Sequence, residues 1–195
     1  MNEMTAAPTK PAKKKETPGE MVRSFLLMVL IALVFRSVAF EPFHIPSGSM
    51  LSTLYEGDYI FVSKYSYGYS RFSFPFGFKL FEGRVLQTMP ERGDVVVFRN
   101  PTNTHVDYIK RVIGLPGDTI QMKHGRLYIN GEMVEQTRRG DVSVPDDHGQ
   151  EHPVPLYEEV LPGGVHHIVL DDYEEGPADN TKLYHVPEGH LFMMG

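Results

Sequence analysis

Residues 108–118 read YIKRVIGLPGD, and this stretch is the strongest indication of the fold class. An apolar run rich in β-branched and aromatic residues ends in Gly-Leu-Pro-Gly-Asp, a pattern typical of a short strand followed by a tight turn. Residues 92–98 read RGDVVVF and repeat the arrangement with the turn first. Short strands punctuated in this way predict a mainly antiparallel β domain.

Further strands follow from the same pattern on both sides of this stretch. They are predicted at residues 59–62, 120–122, 127–129, 168–170 and 191–193. Lys123-His124-Gly125-Arg126 and Asn130-Gly131 have the composition of hairpin turns. Residues 137–187 are acidic, rich in Pro and Gly and weakly patterned, so they predict an outer subdomain with long loops.

The long apolar stretch of the chain precedes this β region. Ser24 to Phe35 carries no charge, and residues 21–40 have the length of a bilayer span if Arg23 and Arg36 reach the two interfaces. Three alternatives are open on this segment alone: an uncleaved anchor, a cleavable signal peptide with small residues Ser37 and Ala39, or a buried helix of a soluble protein.

Composition narrows the function classes. The 195 residues are 41% hydrophobic and 23% charged, as in a globular protein. There is no Cys, which excludes a disulfide framework, a thiolate nucleophile and Cys-ligated metal. The net charge of −6 argues against nucleic acid as a partner. Residues 1–20 are rich in Lys and Pro and predict a disordered tail that stays cytoplasmic, with everything after Glu41 on the outer side.

Two pieces of sequence could carry chemistry. Ser47 and Ser49 flank a glycine in Ile-Pro-Ser-Gly-Ser-Met at 45–50, and most such segments are simple turns. Lys110 interrupts an apolar strand, so strand alternation requires either Lys110 or Arg111 to point inward. Burial lowers the pKa of a lysine and makes it a usable general base. The alternative is a solvent-facing lysine on an edge strand.

Together these pieces resemble bacterial type I signal peptidases, which are membrane-anchored Ser–Lys endopeptidases. The motifs that carry the resemblance come in the family's order: Pro46 to Met50; Gly57-Asp58 with Lys64 to Gly68; Arg92 to Phe98; Asp107 to Arg111 with Gly114 to Asp118; and Gly189 to Gly195. The resemblance covers about residues 21–195. It implies an antiparallel β catalytic core with an inserted β subdomain, preceded by one N-terminal transmembrane helix.

The resemblance also implies roles for single residues. Ser49 would be the nucleophile, Lys110 the general base, and the Ser49 N–H with the Ser47 hydroxyl the oxyanion hole. The residues that match the pockets for small side chains before the cut, the Ala-x-Ala preference, are Phe43, Ile45, Met50, Leu54, Val97, Tyr108 and Ile109. No cofactor or metal is implied. The partners would be signal peptides of exported preproteins and the lipid bilayer.

The implied layout has five parts: a cytoplasmic tail at 1–20, a transmembrane anchor at 21–40, a catalytic core at 41–118, an inserted subdomain at 119–187 and a return to the core at 188–195. The location would be the bacterial inner membrane, single-pass, with the catalytic domain in the periplasm. Two departures from the family stand out. Ser52 replaces a proline, which predicts a looser turn, and the sequence ends before the family's lysine-orienting serine. We therefore expect a C-terminally truncated chain with weak or no activity.

Other functions stay open at this stage. They are a different Ser–Lys processing peptidase and a non-catalytic anchored β module that binds secreted chains. The aromatic residues between 65 and 81 could dip into the membrane interface or pack on the core.

Overall fold

The computed structural model describes residues 17–74, 82–146, 148–171 and 176–195. Its first element is helix α1 (Pro18–Val38). Thr17 begins the helix with a capping box, because its side chain accepts the Glu20 N–H while the Glu20 carboxylate accepts the Thr17 N–H. Pro18 follows at the first helical position, where a missing N–H costs nothing.

Helix α1 is apolar on all sides and exposed. Only 6% of its most apolar 18-residue window is buried, with a mean hydropathy of 2.1. By length and composition the helix can cross a membrane. Its exposure contradicts the alternative of a buried helix in a soluble protein.

The rest of the described chain is mainly strand, which confirms the predicted fold class. The strands are β1 (Phe40–His44), β2 (Tyr59–Ser63), β3 (Tyr69–Ser70), β4 (Arg84–Val85), β5 (Val95–Arg99), β6 (Asp107–Gly114), β7 (Thr119–Lys123), β8 (Arg126–Ile129), β9 (Glu132–Met133), β10 (Glu135–Pro145), β11 (Glu151–Leu161), β12 (Val165–Leu170), β13 (Tyr184–His185) and β14 (Phe192–Met194). They form sheets in the orders β1-β2, β3-β4, β14-β6-β5, β13-β7-β8-β9 and β10-β11-β12.

The sheet β14-β6-β5 positions the candidate site. Strands β5 and β6 pair antiparallel from Val95 opposite Arg111 to Arg99 opposite Asp107. This register places Val96 opposite Lys110. The Ser-Gly-Ser segment lies in the connection between the paired strands β1 and β2 and follows closely after β1, which ends at His44.

Both predicted tight turns are confirmed. His124 and Gly125 have φ of 50° and 69° between β7 and β8, and Asn130 and Gly131 have φ of 54° and 82° between β8 and β9. Two successive positive φ values are the signature of type I′ turns, whose twist matches that of the flanking strands.

The prediction of long loops in residues 137–187 is wrong. Strands β10 and β11 are 11 residues each and pair along nearly their whole length, with a bulge between Arg138 and Gly140. The prolines of this region argued against strands, because a residue without an N–H is rare inside a sheet. Pro153 and Pro155 lie in the part of β11 that extends past the end of β12, and such an edge tolerates a residue without an N–H.

The main apolar core joins the sheet β14-β6-β5 to strands β7, β8 and β11. Its buried members come from β6, β7, β8, β11 and the segments beside them: Ile113, Ile120, Leu127, Ile129, Val134, Leu161 and Val186. The core therefore lies where β6 and β14 meet the strands β7, β8 and β11.

The aromatic stretch is only partly described. Residues 75–81, with Phe76, Phe78 and Phe81, lie outside the described residues. Tyr65 is exposed, whereas Tyr67 is half-buried and donates from its hydroxyl to Asp94 at 2.7 Å. Among the described residues, the exposed Tyr65 is therefore compatible with a position at the membrane interface, whereas Tyr67 packs on the protein.

Candidate active site

Ser49 lies in a one-turn 3-10 helix, Gly48–Met50, that follows Pro46. The turn is closed by the Leu51 N–H donating to the Gly48 carbonyl at 2.9 Å and by the Leu54 N–H donating to the Met50 carbonyl at 2.8 Å. Met50 anchors the turn because its side chain is buried, while Ser49 itself is exposed. The local fold thus holds a hydroxyl at the surface on a fixed backbone.

Lys110 reaches this hydroxyl from β6. Its Nζ lies 2.6 Å from Ser49 Oγ, although the two residues are 61 positions apart in the chain. Burial lowers the pKa of Lys110, because the desolvated environment disfavours its charged form. The pair therefore has the geometry of a nucleophile and a base within hydrogen-bond reach.

The end of the chain packs against this lysine. A Cβ built on Gly195 would lie 2.7 Å from Lys110 Cδ and 3.0 Å from Met50 Sδ. The absence of a side chain at Gly195 therefore leaves room for the side chain of Lys110.

Ser47 lies on the same side of the turn as Ser49. Its Oγ is 3.4 Å from Ser49 Oγ, and its backbone is extended, with φ −153° and ψ 153°. The structure thus brings together the three residues that the sequence places in one site.

The sequence left open whether Lys110 or Arg111 of β6 points inward. Lys110 and Arg111 are both half-buried, on opposite faces of the strand. The Arg111 guanidinium donates to the Gly93 carbonyl at 2.8 Å and to Thr53 Oγ1 at 3.1 Å. Since Thr53 follows the serine turn, Arg111 ties that turn to the loop before β5. The sequence signal for this role of Arg111 was the presence of two adjacent basic residues in an apolar strand.

The residues predicted to contact substrate differ in exposure. Ile45 and Ile109 are buried, so they can form only the floor of a pocket. Tyr108 is exposed and stacks edge-on to Phe98, with ring centroids 6.1 Å apart. The others are buried or half-buried side chains around the same turn and strands: Phe43, Met50, Leu54 and Val97.

Ser49 also lines a cavity of about 500 Å³. Gly48, Met50 and Arg111 line it near the serine, and residues of β10, β11 and β12 line it opposite. Of the seven predicted substrate contacts, the lining includes Met50 alone within the described chain. Apart from Met50, the predicted contacts therefore do not line this cavity.

Sequence reasoning missed a buried pair in the same cavity wall. Glu159 of β11 and His167 of β12 lie 3.3 Å apart with 7% and 5% of their side chains exposed. The neighbouring His166 points to the opposite face and contacts Glu158, as expected for adjacent residues of a strand. Within the described ranges, no group of three or more His, Asp or Glu side chains is placed to hold a metal ion.

Ser52, the departure from the family pattern, has φ of 71°. Proline is fixed near −65°, so this backbone excludes the residue that the family carries there. The turn that follows Ser49 is held by the Thr53 N–H donating to the Met50 carbonyl at 3.0 Å.

Comparison with known proteins gives consistent matches. Residues 19–195 match the family described as "Signal peptidase, peptidase S26". The chain is 42% identical to "Signal peptidase I" of Rickettsia canadensis over 198 residues, covering 96% of this chain and 72% of the relative. It is 42% identical to that of Rickettsia typhi, covering 94% and 71%, and 44% identical to that of Rickettsia prowazekii, covering 88% and 67%.

Proposed function

Because the chain belongs to the signal peptidase family, peptidase S26, we propose that it is a serine endopeptidase that removes N-terminal signal peptides from exported preproteins. The observation that carries the catalytic assignment is the 2.6 Å contact between Lys110 Nζ and Ser49 Oγ. Relatives that share about two fifths of their residues with this chain are named signal peptidase I, which supports the substrate class.

The proposed reaction is acyl transfer. Ser49 Oγ attacks the carbonyl carbon of the scissile bond while neutral Lys110 takes its proton. The oxyanion is held by the Ser49 N–H and the Ser47 hydroxyl. Lys110, now an ammonium, gives the proton to the departing amine, and an ester on Ser49 remains. Water then attacks the ester with Lys110 again as base, which releases the signal peptide and restores the hydroxyl.

We propose that cleavage follows small side chains of the Ala-x-Ala type. The supporting observation is the crowding around the serine turn, where Ile45, Met50 and Ile109 are each at most 5% exposed. Walls that are already packed leave shallow spaces that larger side chains could not enter.

The proposed location is the bacterial inner membrane. Helix α1 spans it, the lysine-rich tail stays in the cytoplasm and the β region lies on the outer side. The layout of anchor, core, inserted subdomain and return to the core stays the one given by the sequence.

Substitutions of the dyad test the proposal. We expect Ser49→Ala and Lys110→Ala, made in the complete reading frame, to abolish processing of a preprotein with an Ala-x-Ala site, measured by gel shift of the product. Ser47→Ala should lower the rate by ~10²–10³-fold without abolishing it, since one oxyanion donor is lost. Ser143→Ala and Lys123→Ala serve as matched controls on exposed strand positions.

Three results would contradict it. Near-normal cleavage by Lys110→Ala at neutral pH would remove the lysine from the mechanism. Failure of an acylating β-lactam-like inhibitor to add its mass to Ser49 in the active protein would argue against a serine ester. Absence of cleavage by the parent protein itself would favour the non-catalytic binding module.

A further inference from the structure

The junction between α1 and the β region has no flexible linker. The helix ends at Val38 and β1 begins at Phe40, so Ala39 alone separates them. The Ala39 N–H donates to the Phe35 carbonyl at 2.8 Å and so continues the helical pattern. The carbonyls of Val38 and Ala39 accept hydrogen bonds from outside the helix, from the Tyr69 hydroxyl at 2.8 Å and the Lys64 N–H at 3.0 Å.

A chain of ionic contacts crosses the same junction. Arg36, in the last turn of the helix, lies 3.0 Å from one oxygen of Glu41 in β1, and Lys64 lies 2.9 Å from the other. Lys64 Nζ also donates to the Ser73 carbonyl at 2.6 Å, and its side chain is only 10% exposed. One carboxylate therefore links the helix to the segment that follows β2.

The carboxylate of Glu41 has two cationic partners, Arg36 and Lys64. Burial alone would raise the pKa of Glu41, but the hydrogen bonds and charges of Lys64 and Arg36 outweigh it and hold that pKa below its ordinary value. The lowered pKa favours the ionised form of Glu41, which can pair with both cations.

Aromatic packing supports the same geometry. The rings of Phe35 and Phe40 lie 6.2 Å apart across the junction, and Phe40 meets Tyr65 edge-on at 5.7 Å. Ionic, backbone and aromatic contacts thus all join the end of α1 to β1 and to the residues after β2.

β1 transmits this fixed geometry to the serine. From Ala39 the chain runs through β1 and Ile45 to Ser49, ten residues that span at most about 35 Å. Ile45 is fully buried and exchanges backbone hydrogen bonds with Gly57 and Asp58, so the path does not bend freely. The height of Ser49 relative to the end of α1 is therefore set by the junction.

We propose that the Arg36–Glu41–Lys64 contacts and the Tyr69–Val38 hydrogen bond are positioning elements that hold the active site at a fixed height above the membrane. The inference rests on the proposed function. A preprotein held in the same bilayer by its own apolar segment presents its scissile bond at one height, so a fixed enzyme geometry aligns the two reacting groups. A short soluble peptide diffuses freely and gains nothing from this alignment.

The test compares these two substrates with the complete protein in liposomes. For Lys64→Met and Glu41→Gln we expect processing of a membrane-inserted preprotein to fall about tenfold or more, because misplaced reacting groups cost rate steeply. Hydrolysis of a soluble peptide that carries the same cleavage sequence should stay within about twofold of the parent. N-terminal sequencing of the product should show cleavage spread over neighbouring positions.

Further variants separate positioning from stability. Lys64→Arg keeps the charge and should restore preprotein processing. Tyr69→Phe removes one hydroxyl at the junction and should lower preprotein processing in the same direction but less. Lys123→Met, an exposed lysine on β7, is the matched control and should leave both substrates unaffected.

The outcomes that would contradict the inference differ from the one that would contradict the proposed function. Equal loss on both substrates would overturn the inference, because the contacts would then support the catalytic fold in general. Unchanged preprotein processing with an unchanged cleavage site would overturn it as well. A parent protein that cleaves neither substrate would instead contradict the proposed function.

Discussion

At the scale of single residues, the site depends on keeping one lysine partly out of water. Lys110 lies on β6 between Ile109, which is buried, and Arg111, whose guanidinium is directed to Gly93 and Thr53. Ile109 and Arg111 both point to the face of β6 opposite to Lys110, so the Arg111 guanidinium is directed away from Ser49, and the Lys110 side chain instead passes close to Gly195 and the buried Met50. Removing water from the ammonium favours the neutral amine, the form that the proposed mechanism needs as its base.

The pH dependence follows from this burial. Because burial lowers the pKa of Lys110, its neutral form is populated at lower pH than for a free lysine. We expect kcat/KM to rise with pH through that lowered pKa and to fall toward acid pH as the amine is protonated. The measurement is a pH–rate profile on a peptide substrate from about pH 5 to about pH 10.

The same shift has a consequence for stability. A lysine whose folded-state pKa lies below its unfolded value destabilises the fold while it is charged, and this cost is relieved as pH rises above the folded value. Lys110→Met should therefore abolish activity without lowering the melting temperature at neutral pH. A profile without an acidic fall, or a large loss of stability in Lys110→Met, would contradict this account of Lys110.

At the scale of elements, one carboxylate joins three turns. Asp118, between β6 and β7, accepts hydrogen bonds from Arg92 at 2.9 Å, the Leu115 N–H at 2.7 Å and the Asn130 side chain at 2.8 Å. Arg92 precedes β5 and Asn130 follows β8, so the contact fixes the ends of strands in two sheets. Burial works to raise the pKa of Asp118, but these partners outweigh it and hold the pKa below its ordinary value.

Asp118→Asn is expected to lower the free energy of unfolding by about 3 kcal/mol at neutral pH, because Arg92 loses a buried partner. The depressed pKa means that the stabilisation exists above the unfolded-state pKa and is lost as pH falls through the folded-state value. The difference between parent and variant should therefore shrink in acid. Denaturant titration in detergent at several pH values measures it.

An exposed ion pair provides the control for that substitution. Asp141 pairs with Arg138 on β10, with about half of each side chain exposed. Asp141→Asn should change stability by only about 0.5 kcal/mol, as is usual for surface pairs. Equal effects of the two substitutions would mean that Asp118 has no special structural role.

At the scale of the whole molecule, the sheet β10-β11-β12 docks beside the sheet β14-β6-β5 at a glycine. Gly93 precedes β5 with φ of 93°, and a Cβ there would lie 2.4 Å from Val165 Cγ1 in β12. Its N–H also donates to the Val112 carbonyl at 2.7 Å. The position therefore requires both a positive φ and the absence of a side chain.

Gly93→Ala should destabilise the protein by more than the cost of the backbone angle alone. Gly163 has nearly the same φ, 95°, and a Cβ at that position would have no neighbour within 4 Å. Gly163→Ala therefore isolates the cost of the angle, about 1–2 kcal/mol. The additional loss in Gly93→Ala, about 1–3 kcal/mol, reports the overlap with Val165. Thermal unfolding of both variants measures it, and equal losses would show that the two sheets do not dock there.

The fold class and the two tight hairpin turns could be predicted because they depend on local chemistry. Strand periodicity, the Gly-Leu-Pro-Gly-Asp turn and Asn130-Gly131 each act over a few residues. The two long strands β10 and β11 could not be predicted, because Pro153, Pro155 and the bulge at Gly140 hide the alternation. Only the pairing partner shows which N–H groups a strand needs.

Ser49 and Lys110 could be singled out from the amino-acid sequence through the resemblance carried by the order of the motifs, because a Ser-Gly-Ser turn and a lysine in an apolar strand are each weak signals taken alone. The three-dimensional fold was needed to establish that they lie 2.6 Å apart, that Arg111 also finds partners, and that Glu41 joins the membrane helix to the β region. The physical reason is that these contacts join residues far apart in the chain or on different elements. Their geometry is set by strand register and packing, which no local pattern specifies.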